Sequence, residues 1–190
     1  MINIRKIKIY LLLFFILINL FHTVPAFSLT TREDLFKHAL DLSSSGKFDL
    51  ALKEWNNYID LFPDDPAALS NRGNVKLVIG DLDGSIEDQD LAIQIDPNEV
   101  DPYINRGIAE EALGLWLKAK KDYMFVISKD SDNFSALYNL ANVEGSLSNW
   151  EGARDLFDQA AEANTGFAMA RSSLALADYQ LGNISESEMQ

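Results

Sequence analysis

The sequence predicts an all-α protein, an α-solenoid of helix–turn–helix repeats with about four and a half units. The first observation is one residue type spaced 34 positions apart, at Asn71, Asn105 and Asn139. The second is a glycine-type set with the same spacing, made of Gly46, Gly80, Gly114, Ser148 and Gly182. A fixed period of this length is typical of arrays in which each repeat is one supersecondary unit.

Each unit is predicted to contain two helices. The glycine-type position ends the first helix, because glycine accepts the left-handed backbone of a helix C-cap. Pro63 and Pro97 end the second helix, since proline cannot continue one. Short polar residues fill the connectors, where they favour turns and N-caps. These residues are Asp64, Asp65, Asn98, Asp132 and Asn133.

Two more periodic sets predict how the helices pack. Small residues on facing positions let paired helix axes approach closely. They are Ala39, Gly73, Gly107, Ala141 and Ala175 in first helices, with Ala51, Ser85, Ala119, Ala153 and Ser187 in second helices. Large apolar residues then fill the space between one helix pair and the next. They are Phe48, Leu82, Trp116, Trp150 and Ile184.

The periodic residues resemble the tetratricopeptide repeat family. The family pattern appears in the first unit as Gly46, Lys47, Phe48, Asp49, Ala51, Trp55, Leu61 and Pro63. In this register the units are 32–65, 66–99, 100–133, 134–167 and a partial unit at 168–190. Gln89 departs from the usual aromatic residue without breaking the register. The resemblance implies a right-handed superhelix in which the first helix of each pair lines a concave groove.

The resemblance also selects the residues of that groove. The predicted partner-binding residues are Phe36, Leu40, Asn71, Asn74, Ile104, Asn105, Ile108, Tyr138, Asn139 and Asn142. An amide side chain both donates and accepts hydrogen bonds, so aligned asparagines can form a ladder that reads the backbone of an extended peptide. The alternative is that these asparagines only support the groove.

One ligand class of the family is not expected here. Some members hold a C-terminal carboxylate with lysine and arginine beside such asparagines. At the corresponding positions this sequence has Ser70, Ser135 and Asn139 in one alignment, and Phe36 and Asp101 in another. Because the cations are missing, the partner is predicted to be a protein or peptide segment other than a chaperone tail.

The N-terminus is predicted to be a signal peptide at 1–26, followed by a short linker at 27–31. Arg5, Lys6 and Lys8 precede an apolar run that ends near Phe21, and small residues follow at the cleavage region. The alternative is an uncleaved membrane anchor at residues 9–29, which would be the chain's only membrane contact. In both cases the repeats lie outside the cytoplasm.

The compartment is predicted from a second resemblance. Asn71-Arg72-Gly73 and Asn105-Arg106-Gly107 are similar to an exported branch of the family from cyanobacteria and plastid lumens. This resemblance implies export to the periplasm or the thylakoid lumen.

Composition argues against several functions. The formal net charge is −13, and a surface this acidic repels phosphate backbones, so nucleic acid is not an expected partner. The chain has no cysteine, which excludes disulfides and thiolate metal sites. No phosphate-binding loop or nucleophile motif occurs, so we expect no enzyme activity, no cofactor and no metal.

These observations predict a non-catalytic, exported scaffold for protein–protein interaction, acting in the assembly of a membrane complex. Two alternatives stay open: the docking subunit of an enzyme complex, and a piece of a longer repeat array. The sequence leaves the oligomeric state open.

Overall fold

The computed structural model describes residues 31–182, which form nine α-helices and no strand. The helices are α1 (Arg32–Ser44), α2 (Phe48–Leu61), α3 (Pro66–Ile79), α4 (Leu82–Ile95), α5 (Asp101–Ala112), α6 (Trp116–Lys129), α7 (Phe134–Ser146), α8 (Trp150–Ala163) and α9 (Ala168–Gln180). The predicted leader, the linker up to residue 30 and the predicted residues Ile184 and Ser187 lie outside the described residues.

The chain divides into two compact units, Met1–Leu35 and Phe36–Gln190. In the first unit, the described residues hold the start of α1. The Thr31 hydroxyl accepts the backbone N–H of Asp34 at 3.1 Å, and the Asp34 carboxylate accepts the backbone N–H of Thr31 at 2.9 Å. This reciprocal arrangement is a capping box, which satisfies two backbone donors that have no partner inside the helix.

The second unit is an α-solenoid, which confirms the predicted fold class. From α2 onward each helix packs against the next one along the chain. In addition α3 packs against α5, and α5 packs against α7. The first helices of successive repeats therefore form one shared face, which we call the inner face.

The glycine-type positions end the first helices as predicted. Gly46, Gly80 and Gly114 have φ of +72°, +87° and +73°, in the left-handed region that glycine occupies without a steric penalty. Ser148 occupies the same position with φ of +63°, and it is the only non-glycine residue with positive φ among the described residues. Its short side chain does not remove the strain that a Cβ atom introduces there.

Small residues set the distance between paired helices, also as predicted. A Cβ atom on Gly107 would lie 2.6 Å from Cε1 of the Tyr123 ring on α6. Tyr123 is fully buried, so the ring has no free space to move into. Trp116 packs against a cluster that combines Tyr123 of its own repeat with Leu140 of the next. The large apolar set therefore joins consecutive repeats.

None of the helices among the described residues combines the length and the apolar character that crossing a bilayer requires.

Candidate partner-binding groove

A cavity of about 530 Å³ opens on the inner face between α3 and α5 and reaches the start of α7. Its volume lies in the range of roughly 300–1,000 Å³ that is usual for ligand sites. Four of the predicted groove residues line it, Asn71 and Asn74 from α3 with Ile104 and Asn105 from α5. We call this space the groove cavity.

N-capping of α3 fixes the position of the helix that carries Asn71 and Asn74. The Asp65 side chain caps α3 by accepting the backbone N–H groups of Ala67 and Ala68 at 3.1 and 3.2 Å. Tyr58 from α2 donates its hydroxyl hydrogen to the same carboxylate at 2.7 Å. Pro66 follows at the first helical position, where its fixed φ suits the helix. The start of α3 is therefore tied to the preceding helix.

Asn71 and Asn105 use their side-chain donors and leave their acceptors unused. Asn71 Nδ2 donates to the backbone oxygen of Ala67 at 2.8 Å, and Asn105 Nδ2 donates to Ser70 Oγ at 3.3 Å. Neither Oδ1 atom accepts a hydrogen bond from the described residues. Ser70 is only 8% exposed, and its hydroxyl hydrogen has no acceptor among those residues.

The charge of the groove cavity is negative. Asp96, Glu99 and Asp101 line it, and no lysine or arginine does. Glu99 and Asp101 are exposed and form no ion pair with any other described residue. Sequence reasoning selected only the first helices, so it missed Asp96 and Glu99, which belong to the connector between α4 and α5.

Arg72 and Arg106, which follow Asn71 and Asn105 in the sequence, form ion pairs outside the groove cavity. Arg72 binds Asp88 through two hydrogen bonds of 2.8 and 2.6 Å, and Arg106 binds Asp122 through two of 2.7 Å. Hydrogen bonding to Asp122 raises the pKa of Arg106 further above its usual range. Both carboxylates belong to second helices and are buried. The two guanidinium groups thus serve packing between helices and are absent from the lining of the groove cavity.

The other predicted groove residues do not line this cavity. Phe36 makes edge contacts with Trp55 at 5.0 Å between ring centroids, and Tyr138 makes one with Phe167 at 4.9 Å. Ile108 packs against the cluster around Tyr123. Their side chains contribute to the core of the helix pairs.

The three remaining predicted residues also lie outside the groove cavity. Leu40 is 37% exposed on α1, and Asn139 is half-buried on α7. Asn142 lines a separate cavity of about 200 Å³ with Ser173 and Leu176 of α9. The asparagine ladder is therefore two rungs long within the groove cavity, and that any of the ten residues binds a partner stays a prediction.

A buried carboxyl on α5, that of Glu110, forms no ion pair in the part of the chain that the structure describes. Glu110 is 5% exposed, and its Oε2 atom has no hydrogen-bond partner within residues 31–182. Burial, reinforced by the charge of Asp122, raises its pKa to about 7. The corresponding acids in the next repeats, Glu144 and Asp178, pair with Lys120 and Arg154.

The missing cation follows from the repeat register. Lys120 and Arg154 precede their acids by 24 positions, and the same step back from Glu110 leads to Ile86. Glu110 therefore lacks the charge partner that its two counterparts have.

Among the described residues no group of three or more side chains is suited to hold a metal ion.

Comparison with protein families matches the chain to a model described as the tetratricopeptide repeat. It matches residues 36–100, 104–168 and 138–190, which together span most of the chain. RNA polymerase II-associated protein 3 from Rattus norvegicus is 29% identical over 106 residues, which are 56% of this chain and 16% of that protein. An FAM10 family protein from Arabidopsis thaliana is 30% identical over 94 residues, 50% of this chain and 21% of that protein. The chain thus spans about a fifth or less of these relatives.

Solved structures with a similar fold include a crystal structure of the MamA protein. It has a TM-score of 0.70 at 20% identity and covers 80% of this chain and 84% of its own. A tetratricopeptide repeat protein from Parabacteroides merdae gives 0.69 at 23% identity, covering 80% and 60%. The first such domain of Spaghetti (RPAP3), bound to the HSP90 peptide SRMEEVD, gives 0.60 at 26% identity, covering 62% and 93%.

Proposed function

Because the chain belongs to the tetratricopeptide repeat family, we propose that it is a non-catalytic scaffold that binds an extended segment of a partner protein in the groove cavity. One observation carries the proposal. The groove cavity combines unused acceptors on Asn71 and Asn105 with an unused donor on Ser70. An extended peptide presents free backbone N–H and C=O groups, and these match both kinds of unused group.

The peptide-bound relative supports this use of the fold. The Spaghetti domain carries a peptide of another protein, and its sequence is 26% identical to this chain over the part compared. A repeat domain of this kind therefore has a surface that accepts a peptide. We propose the same use for the inner face here, with a ligand that its own lining selects.

We further propose that the protein is exported to the periplasm or the thylakoid lumen, where it takes part in assembling a membrane complex. The basic start and apolar run of residues 1–26 support export. Cell fractionation combined with N-terminal sequencing of the mature protein tests it. Cleavage near Ala26 is expected, whereas an intact N-terminus in the membrane fraction would favour the anchor at residues 9–29.

Co-purification from the exported compartment tests the groove. The double variant Asn71→Ala with Asn105→Ala is expected to lose a partner that the unaltered protein retains. Asn57→Ala with Gln94→Ala is the matched control, because both amides are exposed on second helices. A partner retained equally by both double variants would contradict binding in the groove cavity.

A further inference from the structure

We propose that the groove cavity selects a segment carrying lysine or arginine, so that its partner is a basic stretch of polypeptide. This inference rests on the proposed function and names the chemistry of the ligand at the same site. It follows from three features of the cavity: its negative charge, its unused hydrogen-bonding groups, and the binding of the neighbouring arginines to buried aspartates.

The charge of the cavity favours a cation. Asp96, Glu99 and Asp101 contribute three carboxylates to the lining, and no lining residue is basic. Glu99 and Asp101 lack an ion-pair partner among the described residues, and both are exposed to an incoming ligand. A positive side chain placed here gains attraction without displacing an existing salt bridge.

The unused hydrogen-bonding groups favour the same ligand. The Oδ1 atoms of Asn71 and Asn105 are acceptors, and so are the carboxylate oxygens of Glu99 and Asp101. A lysine ammonium has three donors and a guanidinium has five, and neither has an acceptor. The lining therefore offers the hydrogen-bond acceptors that lysine and arginine side chains require.

Ser70 supplies the complementary contact for the peptide backbone. Ser70 is 8% exposed at the wall of the cavity; its hydroxyl oxygen accepts from Asn105 Nδ2, and its hydroxyl hydrogen has no acceptor among the described residues. A peptide C=O group at this wall could accept that hydrogen.

The arginines of α3 and α5 do not neutralise the cavity. The guanidinium groups of Arg72 and Arg106 are each held by two hydrogen bonds to a buried aspartate on the paired second helix. Releasing Arg106 would leave Asp122 buried without its ion pair, which is costly. Arg72 shares the buried Asp88 with Lys76 in a second ion pair. The negative charge of the lining is thus a fixed property of the fold.

A ligand of the opposite charge would be disfavoured. The peptide bound to the Spaghetti domain, SRMEEVD, contains three acidic residues. In this groove cavity such residues would face three carboxylates and no cation. An acidic peptide of this kind is therefore expected to be excluded from the groove cavity.

Peptide titrations monitored by NMR of the full chain test the proposal. The probes are three short peptides of alternating sequence, acetylated and amidated: lysine–alanine, glutamine–alanine and glutamate–alanine. The lysine peptide is expected to shift the side-chain amide signals of Asn71 and Asn105, more weakly as salt is added. The glutamate peptide is expected to cause no shift at these signals.

A pair of charge variants sharpens the test. Glu99→Gln with Asp101→Asn should weaken binding of the lysine peptide about fivefold, which is about 1 kcal/mol in total and is typical of two exposed rim charges. Asp83→Asn with Glu87→Gln is the matched control, since it removes the same charge from exposed positions on α4. This control should bind the lysine peptide as the unaltered chain does.

The outcomes separate the two proposals. If the neutral and the lysine peptides shift the same signals equally, the groove binds peptides and the charge selectivity is wrong. If the glutamate peptide binds best, the charge selectivity is likewise wrong. If no peptide shifts these signals, while Asn71→Ala with Asn105→Ala still retains a partner, both proposals fail. Equal weakening by the two charge variants would show a general charge effect and overturn the specific site.

Discussion

At the residue scale, Ser148 distinguishes its repeat from the others, because it places a non-glycine residue in a left-handed turn. The four equivalent positions, Gly46, Gly80, Gly114 and Gly182, use glycine for the same left-handed turn. A side chain in this conformation costs roughly 1–2 kcal/mol, partly offset because glycine loses more entropy on folding. The turn between α7 and α8 is therefore strained by its residue type.

Ser148→Gly is expected to raise the free energy of unfolding by about 0.5–1 kcal/mol, since it removes this strain. Urea denaturation followed by circular dichroism measures the change. The converse substitution, Gly80→Ser, should lower stability by a similar amount. A lower stability for Ser148→Gly would mean that the serine side chain stabilises the turn.

Glu110 is the second residue that departs from its counterparts. Its pKa is about 7 in the folded chain and 4.5 when unperturbed, because the folded state disfavours the charged form. Stability from this carboxyl is therefore fully present below about pH 4.5 and is lost as the pH rises through about 7. The pH range of this loss lies between the unfolded and the folded pKa of Glu110.

Glu110→Gln is expected to remove this dependence. The variant should match the unaltered chain near pH 4.5 and exceed it by about 1–3 kcal/mol above pH 8, because a neutral amide avoids the buried charge. Unfolding free energies measured across this range provide the test. A constant difference between the two chains would contradict a titrating Glu110.

Ile86→Lys supplies the missing partner and serves as the complementary variant. By the register of Lys120 with Glu144, the new ammonium should lower the pKa of Glu110. A carboxyl NMR titration reads that pKa directly. An unchanged pKa would show that position 86 does not face Glu110.

At the element scale, the contact between consecutive repeats exists in a polar and an apolar form. Arg106 binds Asp122 of its own repeat and Asp90 of the preceding one. One period later the same three positions are Leu140, Leu156 and Met124. Equivalent places in the solenoid are thus occupied by an ion-pair triad in one repeat and by three apolar residues in the next, of which Met124 is 53% exposed. Leu140 is buried and Leu156 packs against its cluster, so the apolar form fills the space.

Arg106→Leu alone is expected to lower the free energy of unfolding by about 3–5 kcal/mol, since it leaves Asp122 buried without its partner. The triple variant that adds Asp122→Leu and Asp90→Met should recover most of that loss, because it reproduces the next repeat. Urea denaturation of both variants and the parent tests this. A triple variant as unstable as the single one would show that the two interfaces differ in shape.

At the scale of the whole molecule, the solenoid connects its repeats only through neighbours. Among the described residues of the second unit, helices pack against the next helix or the next first helix along the chain. Stability in such arrays is approximately a sum of repeat and nearest-neighbour terms. Damage to one interface should therefore remain local.

Phe157→Ala is expected to show this locality. Phe157 is 4% exposed in a cluster that joins α7, α8 and α9, and removing its ring should cost about 3–5 kcal/mol. Amide hydrogen exchange should accelerate in these three helices much more than in α3 and α4. A uniform acceleration along the chain would instead show that the array unfolds as one unit.

The sequence alone determined the period, the helix–turn–helix unit and the ends of the first helices. These features are local: glycine at a left-handed turn, or a small residue opposite Tyr123, is required by contacts within a few ångströms in any repeat of this length. Repetition then made each signal visible several times, as at Gly46, Gly80 and Gly114.

Only the tertiary structure decided which predicted side chains share one cavity. Phe36 and Tyr138 occupy positions that the repeat assigns to the groove, yet their rings pack against neighbouring helices. Asp96 and Glu99 line the cavity from the connector between α4 and α5. The helical repeat pattern does not predict the path of that connector. The rotation of each helix about its axis depends on how its buried residues fit their neighbours. The same 34-residue pattern therefore exposes Asn71 and Asn105 to one cavity and places Asn139 outside it.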